Sequence, residues 1–218
     1  MQSVTAEKIL ALARGELGVK EYPAGSNKVK YNTEYGGGPK AWCCVFVWWL
    51  FRQAGAAKLF FNSAKTAYAP TLLAHHKKQG QAVSGDYLPG DIIFFDFNGN
   101  GTPDHVGVCE SWDGTNITTI DGNTGEGNEA NGGAVMRRTR HKKYIVGAYR
   151  PAYEEEETMT QLQFDNLMAD WLARQSERPE SPWGKMPEAK RLGITDGTRP
   201  QSFATREEVA TMIVSAKM

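Results

Sequence analysis

Apolar residues near the start of the chain recur at the spacing of a helix. Ile9, Leu10, Ala13 and Leu17 fall on one helical face with charged residues between them, and Gly18 follows. This pattern predicts an amphipathic helix that ends at the glycine. It differs from the uninterrupted apolar core of a signal peptide, so we expect no leader here.

An almost wholly apolar run, AWCCVFVWWL at residues 41–50, predicts a second and buried helix. We expect this helix to begin at about Pro39 or Trp42 and to end at Gln53. The segment before it is rich in Gly, Asn and Pro, which is the composition of a loop. Residues 64–80 predict a further amphipathic helix.

From residue 91 onward the pattern changes to short apolar runs that are separated by turn residues, and such runs predict strands. The runs are DIIFFDF at 91–97, HVGVCESW at 105–112, NITTID at 116–121, GAVMRRT at 133–139 and YIVGAYR at 144–150. They predict an antiparallel meander of about five strands. Helices followed by strands indicate an α+β domain with the helices packed on one side of the sheet.

The sequence predicts a large domain, a linker and a small helical module. We place the domain at residues 1–152, an acidic linker around YEEEET at 153–159, and the module at 160–218. Lysine plus arginine and aspartate plus glutamate number 25 each, so no net charge attracts nucleic acid or an anionic membrane, and we expect neither as a partner. No apolar stretch is long enough to cross a bilayer.

The chain has three cysteines, and this odd number argues against a disulfide framework and suits a protein made in the cytosol. Cys43 falls in the first turn of the predicted second helix, where the helix dipole and free N–H groups favour a nucleophilic thiolate. Cys44 is turned about 100° away and is expected to face the core or lie on its flank. The alternative is that both cysteines only fill space in the core.

One of the four histidines is well placed to act as a base. His75 and His76 lie beside two lysines and His141 lies among arginines and lysines, so we expect these three at the solvated surface. His105 opens the strand HVGVCESW, so its ring should stand at the rim of the sheet. A general base at that rim could reach a nucleophile on a neighbouring helix.

The turn DGTN at 113–116 predicts a hairpin that folds this strand back on the next one. A hairpin loop of two to four residues places His105 opposite about positions 122 to 124. Within that range either Asp121 or Asn123 lies on the same face as His105. Either residue could accept a hydrogen bond from the second imidazole nitrogen and fix its tautomer.

These residues lie in four motifs that together resemble the CHAP family, the cysteine- and histidine-dependent amidohydrolases and peptidases common in phage endolysins. The motifs are AWCCVFVWW, LPGDIIFFD, DHVGV and TIDGNT, and the resemblance covers about residues 5–152. It implies a papain-like, NlpC/P60-like fold, with Cys43 as nucleophile and His105 as base. It also implies that Asp121 and Asn123 orient the base or help to stabilise the oxyanion, although many relatives have Glu where this chain has Asp121. Trp42, directly before the nucleophile, is expected to contact substrate.

The resemblance further implies hydrolysis of an amide bond in bacterial peptidoglycan. The enzyme would be an N-acetylmuramoyl-L-alanine amidase or an endopeptidase that cuts the stem peptide or cross-bridge, and the sequence does not choose between them. We expect an endolysin that stays in the host cytoplasm until a holin releases it to the cell wall. The alternative is a catalytically inactive protein that binds the cell wall or serves in adhesion.

The loop DFNGNGTPD at 96–104 resembles the first nine positions of an EF-hand loop. The candidate calcium ligands are Asp96, Asn98, Asn100 and Asp104. Gly107 stands at the twelfth position, where an EF-hand has a bidentate glutamate, so the alternative is a tight turn that leads into His105. We expect no cofactor to be required, and calcium is the metal that this pattern offers.

Residues 183–216 resemble one S-layer-homology unit. The matching residues are Trp183, Ala189, Leu192, Gly193, Ile194, Gly197, Phe203, Thr205, Arg206 and Glu207. Such units bind cell-wall polymers, usually three units together, so the resemblance implies binding of an anionic secondary wall polymer through Arg206. Because one clear copy is present, a helical module used for homodimerisation is the alternative.

Overall fold

The structure, a computed structural model, describes residues 4–154, 161–176 and 191. The chain forms two compact units, Met1–Glu156 and Glu157–Met218. The described part of the first unit is an α+β fold with one antiparallel sheet, as the sequence predicts. The second unit contains helix α6, Gln161–Ser176, and nearly all the rest of it lies outside the described residues.

Five helices precede the sheet in the described part of the first unit. They are α1 (Ala6–Gly15), α2 (Lys30–Tyr35), α3 (Cys43–Gln53), α4 (Ala57–Phe61) and α5 (Ala69–Lys78). The positions of α1, α3 and α5 agree with the predicted helices to within a few residues. Helices α2 and α4 are not anticipated by the sequence pattern, because each is a short helix of five or six residues without a full amphipathic repeat.

Six strands form a single sheet in the order β1-β6-β2-β3-β4-β5. The strands are β1 (Ala82–Val83), β2 (Ile92–Phe95), β3 (His105–Trp112), β4 (Asn116–Thr124), β5 (Ala134–His141) and β6 (Ile145–Tyr149). Every neighbouring pair is antiparallel. The two-residue edge strand β1 was not predicted, since a strand of that length leaves no alternating pattern.

The last strand corrects the predicted meander. β6 does not pair with β5 but returns to pair with β2, with Ile92 opposite Tyr149. β2 has four consecutive buried residues, and such a strand needs a neighbour on each edge and cover on both faces. The free edge of β5 is instead paired with residues 18–21, where Gly18 N–H donates to Val135 O at 3.0 Å.

The main core lies between the helices and one face of the sheet. Residues 43–51 of α3 are all buried, as expected for a helix that is apolar on every side, and α3 packs against β3 and β4. Gly122 permits this approach, because a Cβ at Gly122 would lie 2.7 Å from Cγ of Phe46. The amino end of α3 is thereby held near the start of β3 and the end of β4.

A second apolar cluster covers the opposite face of the sheet. Its buried members are Ile93, Phe95, Cys109, Ile117 and Ala148. Cys109 is thus a core residue, and within the described part of the chain it is a free thiol. Both faces of the central strands are therefore packed, which excludes water from the strands that carry the polar residues described below.

His76 is buried, contrary to the prediction that it lies at the solvated surface. Its ring stacks on Tyr149 with centroids 3.5 Å apart. Nδ1 lies 2.7 Å from Gln81 Oε1, and Nε2 lies 2.6 Å from the carbonyl oxygen of Phe60. Its helical neighbours are polar, but the ring is turned toward β6, and sequence spacing could not show which way that side of α5 faces. Among the described residues no helix is long and apolar enough to cross a membrane.

Candidate active site

Cys43 is the first residue of α3, where the sequence predicts the nucleophile. It follows Trp42, which ends the loop in a non-helical conformation and offers no side-chain cap to the helix. The thiol is therefore next to N–H groups at the positive end of the helix dipole. The pKa of Cys43 is well below its usual value, first because of a hydrogen bond with the Cys44 side chain and next because of His105, and these effects outweigh burial.

Cys44 has the opposite character, although it is adjacent to Cys43. It is fully buried in the core, and the pKa of its thiol is raised well above the usual value by the interaction with Cys43 and by burial. Only one of two close thiols can readily carry the negative charge. The pair therefore divides into an ionisable Cys43 and a neutral Cys44 thiol.

His105 is the first residue of β3 and is fully buried. Its Nε2 lies 3.1 Å from Oδ2 of Asp121. Burial lowers the pKa of His105, but the hydrogen bond with Asp121 and the interaction with the Cys43 thiol raise it, and the resulting pKa is about 9. With Nε2 bound to the carboxylate, Nδ1 is the nitrogen that is left to exchange a proton with the thiol.

The hairpin of β3 and β4 has the predicted register. Val108 lies opposite Ile120, and a bulge between Cys109 and Ser111 shifts the pairing by one residue toward the turn. Asp121 is brought to His105 across Gly107, at which any Cβ would overlap Oδ1 of Asp121 and lie 2.8 Å from its Cγ. The glycine of the DHVGV motif thus provides the space through which the carboxylate reaches the imidazole.

The structure shows which of the two candidate partners, Asp121 or Asn123, contacts His105. Asp121 contacts His105, whereas Asn123 Nδ2 donates to Asn131 Oδ1 at 2.8 Å. Asn123 has a left-handed backbone with a φ of 62°, and the pairing of β4 with β5 shifts between Asp121 and Thr124. This irregularity turns Asn123 toward the β4–β5 loop. Strained backbone of this kind is common at functional sites.

Arg140 on β5 is a buried member of the site that the sequence analysis did not identify. Its Nη1 donates to Oδ2 of Asp121 at 2.6 Å, so that one oxygen accepts hydrogen bonds from both Arg140 and His105. Burial raises the pKa of Asp121, but the charge of Arg140 and the hydrogen bond from His105 lower it overall. The alternation MRRTRH shows that Arg140 shares a face with Arg138, but not that this face is buried.

Three buried polar atoms of the site lack a hydrogen-bond partner within the described residues. They are Nδ1 of His105, Oδ1 of Asp121 and Oδ1 of Asn123. Burying an unpaired polar atom costs about 1–3 kcal/mol, so such atoms are rare in folded proteins. Two of the three atoms belong to the hydrogen-bonded pair of His105 and Asp121, which is consistent with a place where a reacting group is bound.

Trp42 does not present a surface to substrate, which corrects our expectation. Its side chain is fully buried, and its ring packs on Tyr31 at a centroid distance of 5.4 Å. Its Nε1 points to Oε2 of Glu21 at 3.5 Å. Trp42 therefore anchors the residue before Cys43 in the core.

The loop 96–104 is held together by its own hydrogen bonds. The two carboxylate oxygens of Asp96 accept the N–H groups of Gly99 and Gly101 at 2.7 and 2.6 Å. Asn98 and Asn100 each accept the N–H two residues ahead, and Asp104 Oδ2 accepts from Phe97 N and Asn98 Nδ2. Among the described residues no three His, Cys, Asp or Glu side chains are grouped to hold a metal ion. Calcium binding by this loop stays a prediction of the sequence pattern.

A cleft of about 750 Å³ lies beside the site and is lined by parts of segments 17–25 and 125–137. It does not include Cys43 or His105. Glu21 connects its wall to Trp42, and Asn131 connects it to Asn123. The cleft therefore approaches the buried site from the side of the β4–β5 loop. Arg206, the other residue expected to bind substrate, lies outside the described residues.

Comparison with known proteins places this site in a recognised domain. Residues 33–123 match the family model described as CHAP domain, and no curated protein sequence matches the chain. The fold is similar to that of Ly7917, at 17% identity and a TM-score of 0.44, and of Ly7917 with the hydrolyzing product of MDP, at 17% and 0.43. In both comparisons 67% of this chain aligns with 62% of the other.

The fold is also similar to that of the wild-type endolysin LysIME-EF1, at 12% identity and a TM-score of 0.43, with coverage of 78% of this chain and 86% of that one. The family match begins in α2 and ends at Asn123, one residue before the end of β4. It thus includes Cys43, His105 and Asp121. Residues 33–123, which carry these three residues, are a CHAP domain, and Arg140 lies beyond the matched range.

Proposed function

We propose that this protein is a peptidoglycan hydrolase that cleaves an amide bond with Cys43 as its nucleophile. The observation that carries the proposal is the fully buried His105–Asp121 pair, 3.1 Å apart, together with Cys43 at the first position of α3, where His105 helps to lower the pKa of its thiol. A thiol with a lowered pKa, a base and an orienting carboxylate are the groups that cysteine catalysis requires. The CHAP domain supports peptidoglycan as the substrate.

The first step is attack by the Cys43 thiolate on the carbonyl carbon of the scissile amide. The new C–S bond moves the π electrons of the carbonyl onto oxygen, and N–H groups at the start of α3 can stabilise that oxyanion. The His105 imidazolium then gives its proton to the leaving amine as the C–N bond breaks. An acyl-enzyme remains, and His105 is neutral.

The second step returns the enzyme to its starting state. Neutral His105 takes a proton from water, and the resulting hydroxide attacks the acyl carbon. The C–S bond breaks, the carboxylic acid product leaves, and the thiolate and imidazolium are restored. Asp121 keeps its charge throughout and holds the Nε2 proton of His105, so that Nδ1 faces the thiol in both steps.

The alternative is an inactive protein that keeps the fold and binds the wall. A pure binder has no need of a thiol with a lowered pKa or of unpaired buried polar atoms, which cost stability. The complete site therefore favours the enzyme. We further propose that the C-terminal module binds an anionic wall polymer through Arg206, with dimerisation as its alternative role, and that the enzyme reaches the wall from the host cytoplasm through a holin.

Clearing of a suspension of purified Gram-positive cell walls tests the activity. Wild-type protein should clear the suspension, Cys43→Ala should not, and Cys109→Ala should behave as the wild type because Cys109 lies in the second core cluster. Iodoacetamide should abolish the clearing. Lysis that survives in Cys43→Ala would exclude cysteine catalysis. Mass spectrometry of the products then distinguishes an amidase, which releases intact stem peptides from the glycan, from an endopeptidase, which leaves shortened stems attached.

A further inference from the structure

Arg140 is buried and contacts two aromatic rings and two carboxylates. It is only 6% exposed, and its guanidinium lies 4.9 and 5.2 Å from the ring centres of Phe95 and Phe97. Its Nη1 donates to Asp121 Oδ2 at 2.6 Å, and its Nη2 donates to Glu129 Oε2 at 2.7 Å. The group is thus fixed between two carboxylates.

The two carboxylates lie on different parts of the molecule. Asp121 belongs to β4, and Glu129 belongs to the β4–β5 loop, where it also binds Arg138. From the loop to the nucleophile the charged groups alternate in sign as Arg138, Glu129, Arg140, Asp121 and the His105 imidazolium. The Cys43 thiolate extends this alternation by one more group. Each charge in such a series affects the proton affinity of its neighbours.

The surroundings of His105 leave few other charges to act on it. From α3 it meets Cys43, and from β4 it meets Asp121. The aromatic rings of Phe95 and Phe97 lie 6.3 and 5.8 Å from its ring. Arg140 on β5 and Glu129 in the loop act on His105 through Asp121. Oδ2 of Asp121 is therefore the atom through which Arg140 and Glu129 act on the proton affinity of His105.

We propose that Arg140 is a positioning residue that sets the pH range of the site by sharing Oδ2 of Asp121 with His105. It fixes the carboxylate in place and offsets part of its charge. Because of this offset, the imidazolium gains less from Asp121 than it would as the only partner, and His105 can release its proton to a leaving group more easily. The catalytic importance of this effect rests on the proposed function, but the effect on His105 does not.

The sign of the effect separates this role from simple structural support. Removing the charge of Arg140 leaves His105 as the only cation next to a buried carboxylate, which strengthens their attraction in the water-poor interior. The pKa of His105 should then rise. If Arg140 only supported the fold, its removal would loosen the contact of Asp121 with His105, and the pKa of His105 would fall.

The rate of Cys43 alkylation by iodoacetamide, followed by mass spectrometry as a function of pH, reports this pKa without any substrate. The loss of the His105 proton gives the upper inflection of the profile. Arg140→Met should move that inflection upward by about one pH unit, and Arg140→Lys, which keeps the charge, should restore it toward the wild type. Arg138→Gln is the matched control, since Arg138 contacts Glu129 but not Asp121, and it should move the inflection much less.

Circular dichroism establishes that each variant is folded. If Arg140→Met does not fold, the double variant Arg140→Met/Glu129→Gln is measured in its place, because it removes two opposite charges together. Its upper inflection should also move upward. An upward shift supports the role of Arg140, and an unchanged or lowered inflection overturns it. If the shift is found but no cell wall is cleared, the proposed function fails while the role of Arg140 in the site stands.

Discussion

Nε2 of His105 and Oδ2 of Asp121 lie 3.1 Å apart, and both side chains are completely buried. In such a site the carboxylate has no water to share its charge with, so it acts strongly on the imidazole. The same oxygen is also bound by Arg140. Through this oxygen the base is connected to residues on three strands, β3, β4 and β5.

Replacing Asp121 by asparagine should lower activity and shift its pH dependence. The pKa of His105 is raised to about 9 in the folded protein, so the imidazolium persists until the pH rises through that value. Asp121→Asn removes the charge, and the alkaline limb of the rate of wall clearing should move down toward the unperturbed pKa near 6.5. At pH 8 the protonated fraction of His105 would fall from about nine-tenths to about 3%, so we expect roughly a 30-fold loss of rate.

The pKa of His105 should fall in Asp121→Asn and rise in Arg140→Met, so the two variants should shift the pH dependence in opposite directions. Thr118→Val at a half-buried position of β4 serves as the control, because the Thr118 hydroxyl bonds to Thr139 and not to the site. An alkaline limb that stays in place in Asp121→Asn would show that the carboxylate does not govern His105.

Gly107→Ala should abolish activity. A Cβ at Gly107 would overlap Oδ1 of Asp121, so the carboxylate must leave His105 or the strands must separate. We expect a loss of stability of about 1–3 kcal/mol from this overpacking, measured by urea unfolding, and a far larger proportional loss of wall clearing. Gly15→Ala is the matched control, since nothing lies within 4 Å of a Cβ there. Full activity in Gly107→Ala would contradict the close approach of Asp121.

Glu110 should make the free energy of unfolding depend on pH in the acid range. Hydrogen bonds from Arg137 and then Arg14 lower the pKa of Glu110 to about 2. These two ion pairs connect β3, which carries Glu110, to β5 and to α1. A carboxyl with a lowered pKa stabilises the fold above its unfolded value near 4.5, and this contribution is lost as the pH falls toward 2.

The contribution should be on the order of 1 kcal/mol, because solvent screens part of each ion pair. Thermal or urea unfolding of the wild type and of Glu110→Gln across pH 2 to 6 measures it. The two free energies of unfolding should converge at the acid end, and a constant difference across this range would count against the assignment.

His76 should contribute to stability and not to catalysis. Its ring stacks on Tyr149 and bridges the Phe60 carbonyl and Gln81. His76→Ala leaves a cavity and an unpaired buried carbonyl, so we expect it to destabilise the fold by about 2–4 kcal/mol. His75→Ala, at the half-buried neighbour, should cost clearly less. Wall clearing per folded molecule should be unchanged in both, and a selective loss in His76→Ala would place His76 in the catalytic machinery.

The sequence by itself determined the elements of the site. Local periodicity gave the buried helix that begins at Cys43 and the strand that begins at His105, because the period of a helix or strand is a property of a short segment. The turn at 113–116 limited the partner of His105 to a few positions. Of the four histidines, only His105 opens a predicted strand, so the sequence could identify it as the candidate base.

Only the tertiary structure decided which side chains meet. Asp121 rather than Asn123 binds His105 because the β4–β5 pairing shifts after Asp121, and a bulge of this kind depends on both strands and their loop. Arg140 enters the site because Phe95 and Phe97 shelter it on that face of the sheet. Burial and partner choice depend on contacts between residues far apart in the chain, and no single segment contains that information.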